Sequence, residues 1–382
     1  MTRVAIKPEM LRWARQRARA DEHQLAIRFP KLADWERGEI LPTLKQLERY
    51  ARATTTPVGY LFLTEPPEER IPIPDFRVMD NWQMPRPSPN LLETIYVCQQ
   101  RQAWYQDCAK SHALPKLRFI GSATVDSSIE ETAERIRQKL QFDLKSRRDC
   151  ATWEEALREF IAQADNAGIM VMCSGVVQNN NHRRLDPEEF CGFAMTDPVA
   201  PLVFINGADS KSAQMFTLAH ELVHLWLGQS AVSNADIASV RGRNVERWCN
   251  RVAAELLVPL ETMRAEVDAD EPLERTMSRL SRRFKVSTLV VMRRLFDMSV
   301  LSREAFSQAY RLELTRLKAI QKRSGGGNFY LSQAARVSKR FARALVESTL
   351  EGQTLYRDAM RMLGVSKVET FKELGRSLSF GI

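Results

Sequence analysis

The stretch FTLAHELVHLWLG, Phe216 to Gly228, sets two of the chain's five histidines four residues apart, around a glutamate, in an otherwise apolar segment. An α-helix advances about 100° per residue, so positions i and i+4 share a face. His220 and His224 can therefore aim both imidazoles at one point. Phe216, Leu218, Ala219, Leu222, Val223, Leu225 and Trp226 make this helix apolar on all sides, which predicts burial. Two imidazoles and a carboxylate inside a core need partners. A divalent cation is one solution, and a set of hydrogen-bonded core side chains is the other. The H-E-x-x-H spacing suits zinc, which takes nitrogen and oxygen donors tetrahedrally and in catalytic centres leaves one position for water. Glu221 would lie beside that water rather than on the metal, where it can accept a proton as general base.

A third protein ligand is then required. Leu227 and Ser230 stand where the extended H-E-x-x-H-x-x-G-x-x-H motif has Gly and His, so a carboxylate from a later segment is the remaining solution. Asp236, Glu246, Glu255 and Glu261 are the candidates. Glu246 and Asn250 share a helix face, which offers a ligand with a supporting amide. Glu255 follows about nine residues after Glu246 and so faces roughly 180° away. Both cannot point at one metal, and Glu246 is the preferred ligand. Its competing role is a surface pair with Arg243 or Arg247. Cys249, one turn from Glu246, reads as a small buried residue rather than a soft ligand.

At 382 residues the chain is long enough for two or three domains. With 44% hydrophobic and 27% charged residues it reads as globular, and no apolar run reaches the roughly 20 residues of a membrane span. The N-terminal residues lack an apolar signal core, so a cytoplasmic protein is expected. Six cysteines without a C-x-x-C pair are expected to be buried free thiols. The net charge is +9, and from Tyr310 onward 14 Lys/Arg stand against 6 Asp/Glu. That excess permits an acidic partner or nucleic acid, or simply a solvated helical surface.

The fold class expected is mainly α with a small α+β zincin-like domain. In it a sheet of three or slightly more strands packs on the H-E-x-x-H helix, between all-α N-terminal and C-terminal regions. IMVMCSG (Ile169–Gly175), CGFAM (Cys191–Met195) and PLVFING (Pro201–Gly207) read as strands. CGFAM and PLVFING are candidates for an edge strand that pairs with an extended substrate. Asn90, Ser128 and Thr152 read as helix caps. The expected boundaries are 1–63 for an N-terminal helical domain, 64–90 for a Pro-rich linker, 91–300 for the zincin-like domain and 301–382 for a basic helical region. SGGGN (Ser324–Asn328) reads as a flexible break. In the polar loop before CGFAM, His182 and Arg183 are candidates for an oxyanion or substrate contact. SRLSRRFKVSTLVVMRRLFDMSVLS reads as a small helix-turn-helix-like piece. Ser287 would be its cap, and Arg282, Arg283, Arg293 and Arg294 could contact phosphates or belong to ordinary packing.

FTLAHELVHLWLG followed by VERWCNRVAAELLVP resembles the ImmA/IrrE-type metallopeptidases, and PLVFING and IPIPDFR fit the same pattern. The resemblance implies that His220, His224 and Glu246 bind Zn2+ and that Glu221 is the base. It also implies regulatory cleavage of a helix-turn-helix repressor. Separately, LRWARQRARADEHQLAIRFPKLADWERGEILPTLKQLERYA resembles an XRE-type helix-turn-helix domain, shortened by about one helical turn between Leu25 and Trp35. This implies possible DNA contact through residues 1–63, or recognition of an XRE-type repressor as protein substrate. The alternative expectation is a DNA-binding regulator or antitoxin-like protein whose peptidase fold is catalytically idle.

Overall fold

The computed structural model describes residues 3–75, 86–233, 244–268, 270–321, 336–378 and 380. Asp236, Arg243, most of the Pro-rich linker and the SGGGN break lie outside them. The chain divides into two compact units, one of residues 1–72 and 79–96 and one of residues 73–78 and 97–382.

In the first unit, α1 (Pro8–Arg17), α2 (Glu22–Arg28), α3 (Leu32–Arg37) and α4 (Leu44–Ala53) precede a 3-10 turn at Val58–Phe62. Pro8 opens α1, where its missing N–H is harmless. Asp21 caps α2 by accepting from the His23 and Gln24 amides, and Thr43 with Gln46 forms a capping box on α4. Met10, Leu11, Trp13, Leu25, Phe29, Trp35, Leu47 and Tyr50 form the core, with the Tyr50 hydroxyl donating to the Leu11 carbonyl at 2.8 Å. Pro30 ends α2 early, and α3 has only six residues before Gly38 turns it off at φ +79°.

α5 (Pro89–Ser111) spans the boundary between the units. Its cap is Ser88, whose hydroxyl accepts from the Leu91 amide at 3.1 Å. Asn90 lies inside the helix instead, because Pro89 takes the first helical position. Ser128 and Thr152 do cap the next helices, accepting from the Glu131 and Glu155 amides.

The second unit continues with α6 (Ile129–Leu140), α7 (Leu144–Asp149), α8 (Trp153–Asn166), β1 (Met170–Ser174), β2 (Gly192–Met195), β3 (Leu202–Asn206), α9 (Lys211–Leu227), β4 (Ala231–Ser233) and α10 (Asn244–Leu257). α11 (Leu260–Arg264), α12 (Leu273–Phe284), α13 (Thr288–Asp297), α14 (Arg303–Gln321), α15 (Lys339–Leu350), α16 (Tyr356–Leu363) and α17 (Val368–Ser377) complete it. The mostly helical unit thus holds one small sheet. Its order is β1-β3-β2-β4, with β1 parallel to β3 and the other neighbours antiparallel. The three expected strands are present, and β4 joins them. CGFAM and PLVFING are not edges, because β2 and β3 each have neighbours on both sides. The edges are β1 and β4.

α9 packs on β2 and β3 and against α8 and α10. Every residue from Gln214 to Trp226 is buried. Phe216, Leu218, Leu222, Val223 and Trp226 join α6, α8, α10 and α13 side chains in one core. At the C-terminal end of α9 the amides of Gly121 and Ala123 cap the Leu225 and Trp226 carbonyls at 3.1 and 2.9 Å, and Phe119 stacks on Trp226. Two expectations about charged and polar residues change here. Only Cys98 and Cys249 are buried, while the other four cysteines are partly exposed. Of the four arginines on α12 and α13, Arg283 pairs with Glu266, Arg293 with Asp297 and Arg294 with Glu255 and Asp297, so Arg282 alone is exposed. Those three serve packing, as salt-bridged arginines do. The turn itself forms as read, with Ser287 accepting from the Val290 amide and Phe284, Val286, Val290 and Leu295 buried.

Asp165, at the end of α8, is almost fully buried and accepts from the Ser338 hydroxyl at 2.8 Å and the Val171 amide at 3.3 Å. Burial outweighs these donors and pushes its carboxyl up to about 6. A raised folded-state value means that the stability present below the unfolded value is lost as pH rises through the folded one. The loss from a shift of this size is on the order of 2–3 kcal/mol. Asp165→Asn, which keeps an acceptor for Ser338, is expected to remove most of that loss, measured by urea unfolding at pH 4 and pH 7.

Candidate metal centre

His220 and His224 lie one turn apart on α9, and both are fully buried. Glu246 enters from the first turn of α10, which packs along α9. The three side chains converge. The two Nε2 atoms are 3.1 Å apart, and Glu246 Oε2 and Oε1 lie 3.2 and 3.1 Å from His220 and His224 Nε2 respectively. Four-coordinate zinc with bonds of about 2.0 Å separates its donors by roughly 3.3 Å. The observed triangle matches that spacing, and the three residues form a buried group that can hold a metal ion.

The electrostatics show what the fold does to these groups. Burial alone would lower His220, but the Glu246 carboxylate beside it outweighs burial and leaves it raised. Asn250, one turn beyond Glu246, lies beside His220 and also favours a proton on that ring. His224 is lowered, because burial exceeds what Glu246 returns. Burial opposes the charge on Glu246, yet the two imidazoles hold its carboxyl well below the usual range. Cys249 is buried with its sulfur 3.9 Å from His224 Nδ1, the nitrogen turned away from the cluster. Burial pushes its thiol well up, so it sits behind a ligand rather than among the ligands.

Glu221 is fully buried beside His220, and burial raises its carboxyl to about 8. Its Oε1 accepts from the Ser233 hydroxyl at 2.7 Å, while Oε2 has no hydrogen-bond partner among the described residues. Ser233 was not foreseen. A three-residue strand straight after the Gly228 helix stop carries too little pattern to read, and only the short apolar AVS stretch marks it. Gly192 was also missed. A Cβ there would lie 2.7 Å from Thr217 Cγ2, 2.8 Å from the Phe204 carbonyl and 3.2 Å from Glu221 Cγ, so its absence lets α9 lie close to β2.

Arginines fasten the far end of α10. Arg137 donates to the Glu255 carbonyl at 2.8 Å, Arg147 to the Leu257 carbonyl, and Arg294 to the Val258 carbonyl at 2.9 Å. Cations at a helix C-terminus complement its dipole. Arg147 is fully buried, and burial lowers it to about 9. Glu255 pairs with Arg294 on the face opposite Glu246. Glu261 is not among the converging group.

His182 and Arg183 are not brought into the cluster. His182 is exposed on a loop whose Asn179 bonds the Gly364 carbonyl and accepts from Arg336. Backbone bonds from Val177 to Arg183 and from Arg183 to Asn180 close that loop on itself, and it emerges from the β1 edge, at the other side of the sheet from β4. No described helix is long and apolar enough to cross a membrane.

Comparison with protein families matches residues 164–296 to the IrrE N-terminal-like domain, Peptidase_M78. That span holds the sheet, α9 and α10. Residues 337–377, covering α15 to α17, match a domain of unknown function, DUF8813. No match emerges from comparison with curated proteins.

The Gly192 contact gives a test of how the site is built. Gly192→Ala is expected to destabilise the fold by about 1–3 kcal/mol, through overpacking between β2 and α9. Thermal unfolding checks this.

Proposed function

We propose, from a chain whose residues 164–296 form an ImmA/IrrE-type metallopeptidase domain, a zinc-dependent endopeptidase that makes a limited cut in an XRE-type repressor or similar regulatory protein. The observation that carries this reading is the triangle of His220, His224 and Glu246 donors, with an unsatisfied carboxylate oxygen of Glu221 next to it. The limited cut and the repressor are supported by the likeness to ImmA/IrrE-type peptidases. Transcriptional control would follow from the loss of the repressor.

His220, His224 and Glu246 would hold the ion, and Asn250 and Cys249 would fix the orientation of the two rings. An ion held there would polarise the scissile carbonyl and acidify a water molecule. Glu221 then takes the proton of the attacking water on Oε2 and delivers it to the leaving amine. Ser233 keeps the other oxygen occupied, so the carboxyl presents one face to the reaction. A carboxyl raised by burial is a stronger base than an exposed one, which suits this task. The competing reading, a DNA-binding regulator with an idle peptidase fold, gives the buried, partly unsatisfied Glu221 no purpose.

Zinc content measured by mass spectrometry tests the ligand set. His220→Ala and Glu246→Ala are expected to lose near-stoichiometric zinc, and retention by Glu246→Ala would remove it as a ligand. Glu221→Gln is expected to keep its zinc and to cut a co-expressed XRE-type repressor at least about 100-fold more slowly, within the usual range for a general base. Unchanged cutting would remove Glu221 from the mechanism.

A further inference from the structure

An exposed sheet edge beside a peptidase site is where an extended chain can add as a further strand. β4 is that edge here. It is last in the sheet order, and it carries the Ser233 that holds Glu221. Its outer side is already engaged by the chain itself. The Val232 amide donates to the Pro74 carbonyl at 2.9 Å, and Asp75 pairs with Val232 as a parallel bridge.

β4 has only three residues, so Val232 is its central position. A strand added along the outer side of β4 needs the Val232 N–H, and one N–H cannot serve two extended chains at full strength. The segment that holds it is suited to occupying an edge without extending the sheet. Pro74 has no N–H to offer a further strand, a common device for blunting edges. Among the described residues, the printed backbone bond between this segment and β4 is the one from Val232 to Pro74. A single backbone hydrogen bond is a weak hold, which a segment making several would displace.

We propose that Ile73–Asp75 is an internal strap on the strand-addition edge of the peptidase. An extended polypeptide segment with free backbone N–H groups must displace it before a scissile bond can reach Glu221. The proposal rests on the peptidase reading of the metal centre and adds its regulation: the strap makes the resting enzyme selective for segments that out-compete it.

Two variants of the full chain test this. Ile73→Gly/Pro74→Gly loosens the strap, and Asp75→Cys/Val232→Cys locks it when oxidised, with the crosslink verified by peptide mapping against the six native cysteines. In the loosened variant the Val232 amide is expected to exchange hydrogen at least tenfold faster, with the central β3 amides unchanged. The zinc-loaded locked variant is expected to cut a co-expressed XRE-type repressor at least tenfold more slowly when oxidised than when reduced, at equal zinc content. Equal rates in the two redox states, or unchanged Val232 exchange in the loosened variant, would overturn the strap. A wild-type chain that binds zinc but never cuts the repressor would overturn the peptidase reading itself, an outcome distinguishable from strap failure because wild type is the control in every comparison.

Discussion

The structure depends on placing three ionisable side chains of α9 where water cannot reach them. His220, Glu221 and His224 are fully buried within a helix whose remaining faces are core. Isolated, each would carry a desolvation penalty of several kcal/mol in its charged form. Glu246 supplies the charge that offsets this for the imidazoles, and Ser233 supplies a donor to Glu221. A metal ion at the centre of the triangle would complete the compensation. The constraint is therefore positional, since α10 and β4 must reach α9 from opposite sides within hydrogen-bonding distance.

Much of the second unit can be understood as meeting that constraint. α10 is pinned at its C-terminal carbonyls by Arg137, Arg147 and Arg294, which come from α6, α7 and α13. Trp248 ties its middle to the Ser127 carbonyl at 3.1 Å. Gly192 allows β2 to approach α9, and β4 then hangs on β2 in the register that sets Ser233 opposite Gly192. The close approach of Gly228 to Gly121, where a Cβ on Gly228 would lie 3.0 Å from Gly121 Cα, lets the segment before α6 cap α9. Arginines that add to the basic charge of the chain are thus partly structural. Arg147 and Arg294 are buried, and Arg101 is buried with its guanidinium on the Met362 carbonyl.

The centre of the site was legible because its chemistry sits on regular helices. The i, i+4 spacing of His220 and His224 fixes a shared face, and the nine-residue separation of Glu246 and Glu255 assigns them to opposite faces. Glu255 indeed faces Arg294. What was not legible depends on tertiary contact. Ser233 lies on a strand too short to carry a period, and Gly192 matters only because α9 crosses there. Asn90 looked like a cap, but Pro89 could take the first helical position and moved the cap to Ser88. Arg293 and Arg294 looked like surface cations, because the acids that bind them, Asp297 and Glu255, are partners only in the folded chain. The loop of His182 and Arg183 was positioned by sequence order alone, whereas the crossover of the sheet carries it to the β1 edge.

X-ray absorption at the zinc edge of the purified, zinc-loaded protein tests the central claim most directly. The expected spectrum has only nitrogen and oxygen neighbours at about 2.0–2.1 Å, with the outer-shell scattering of two imidazoles. A sulfur neighbour at about 2.3 Å, which would bring Cys249 onto the metal, or a single imidazole, would contradict it.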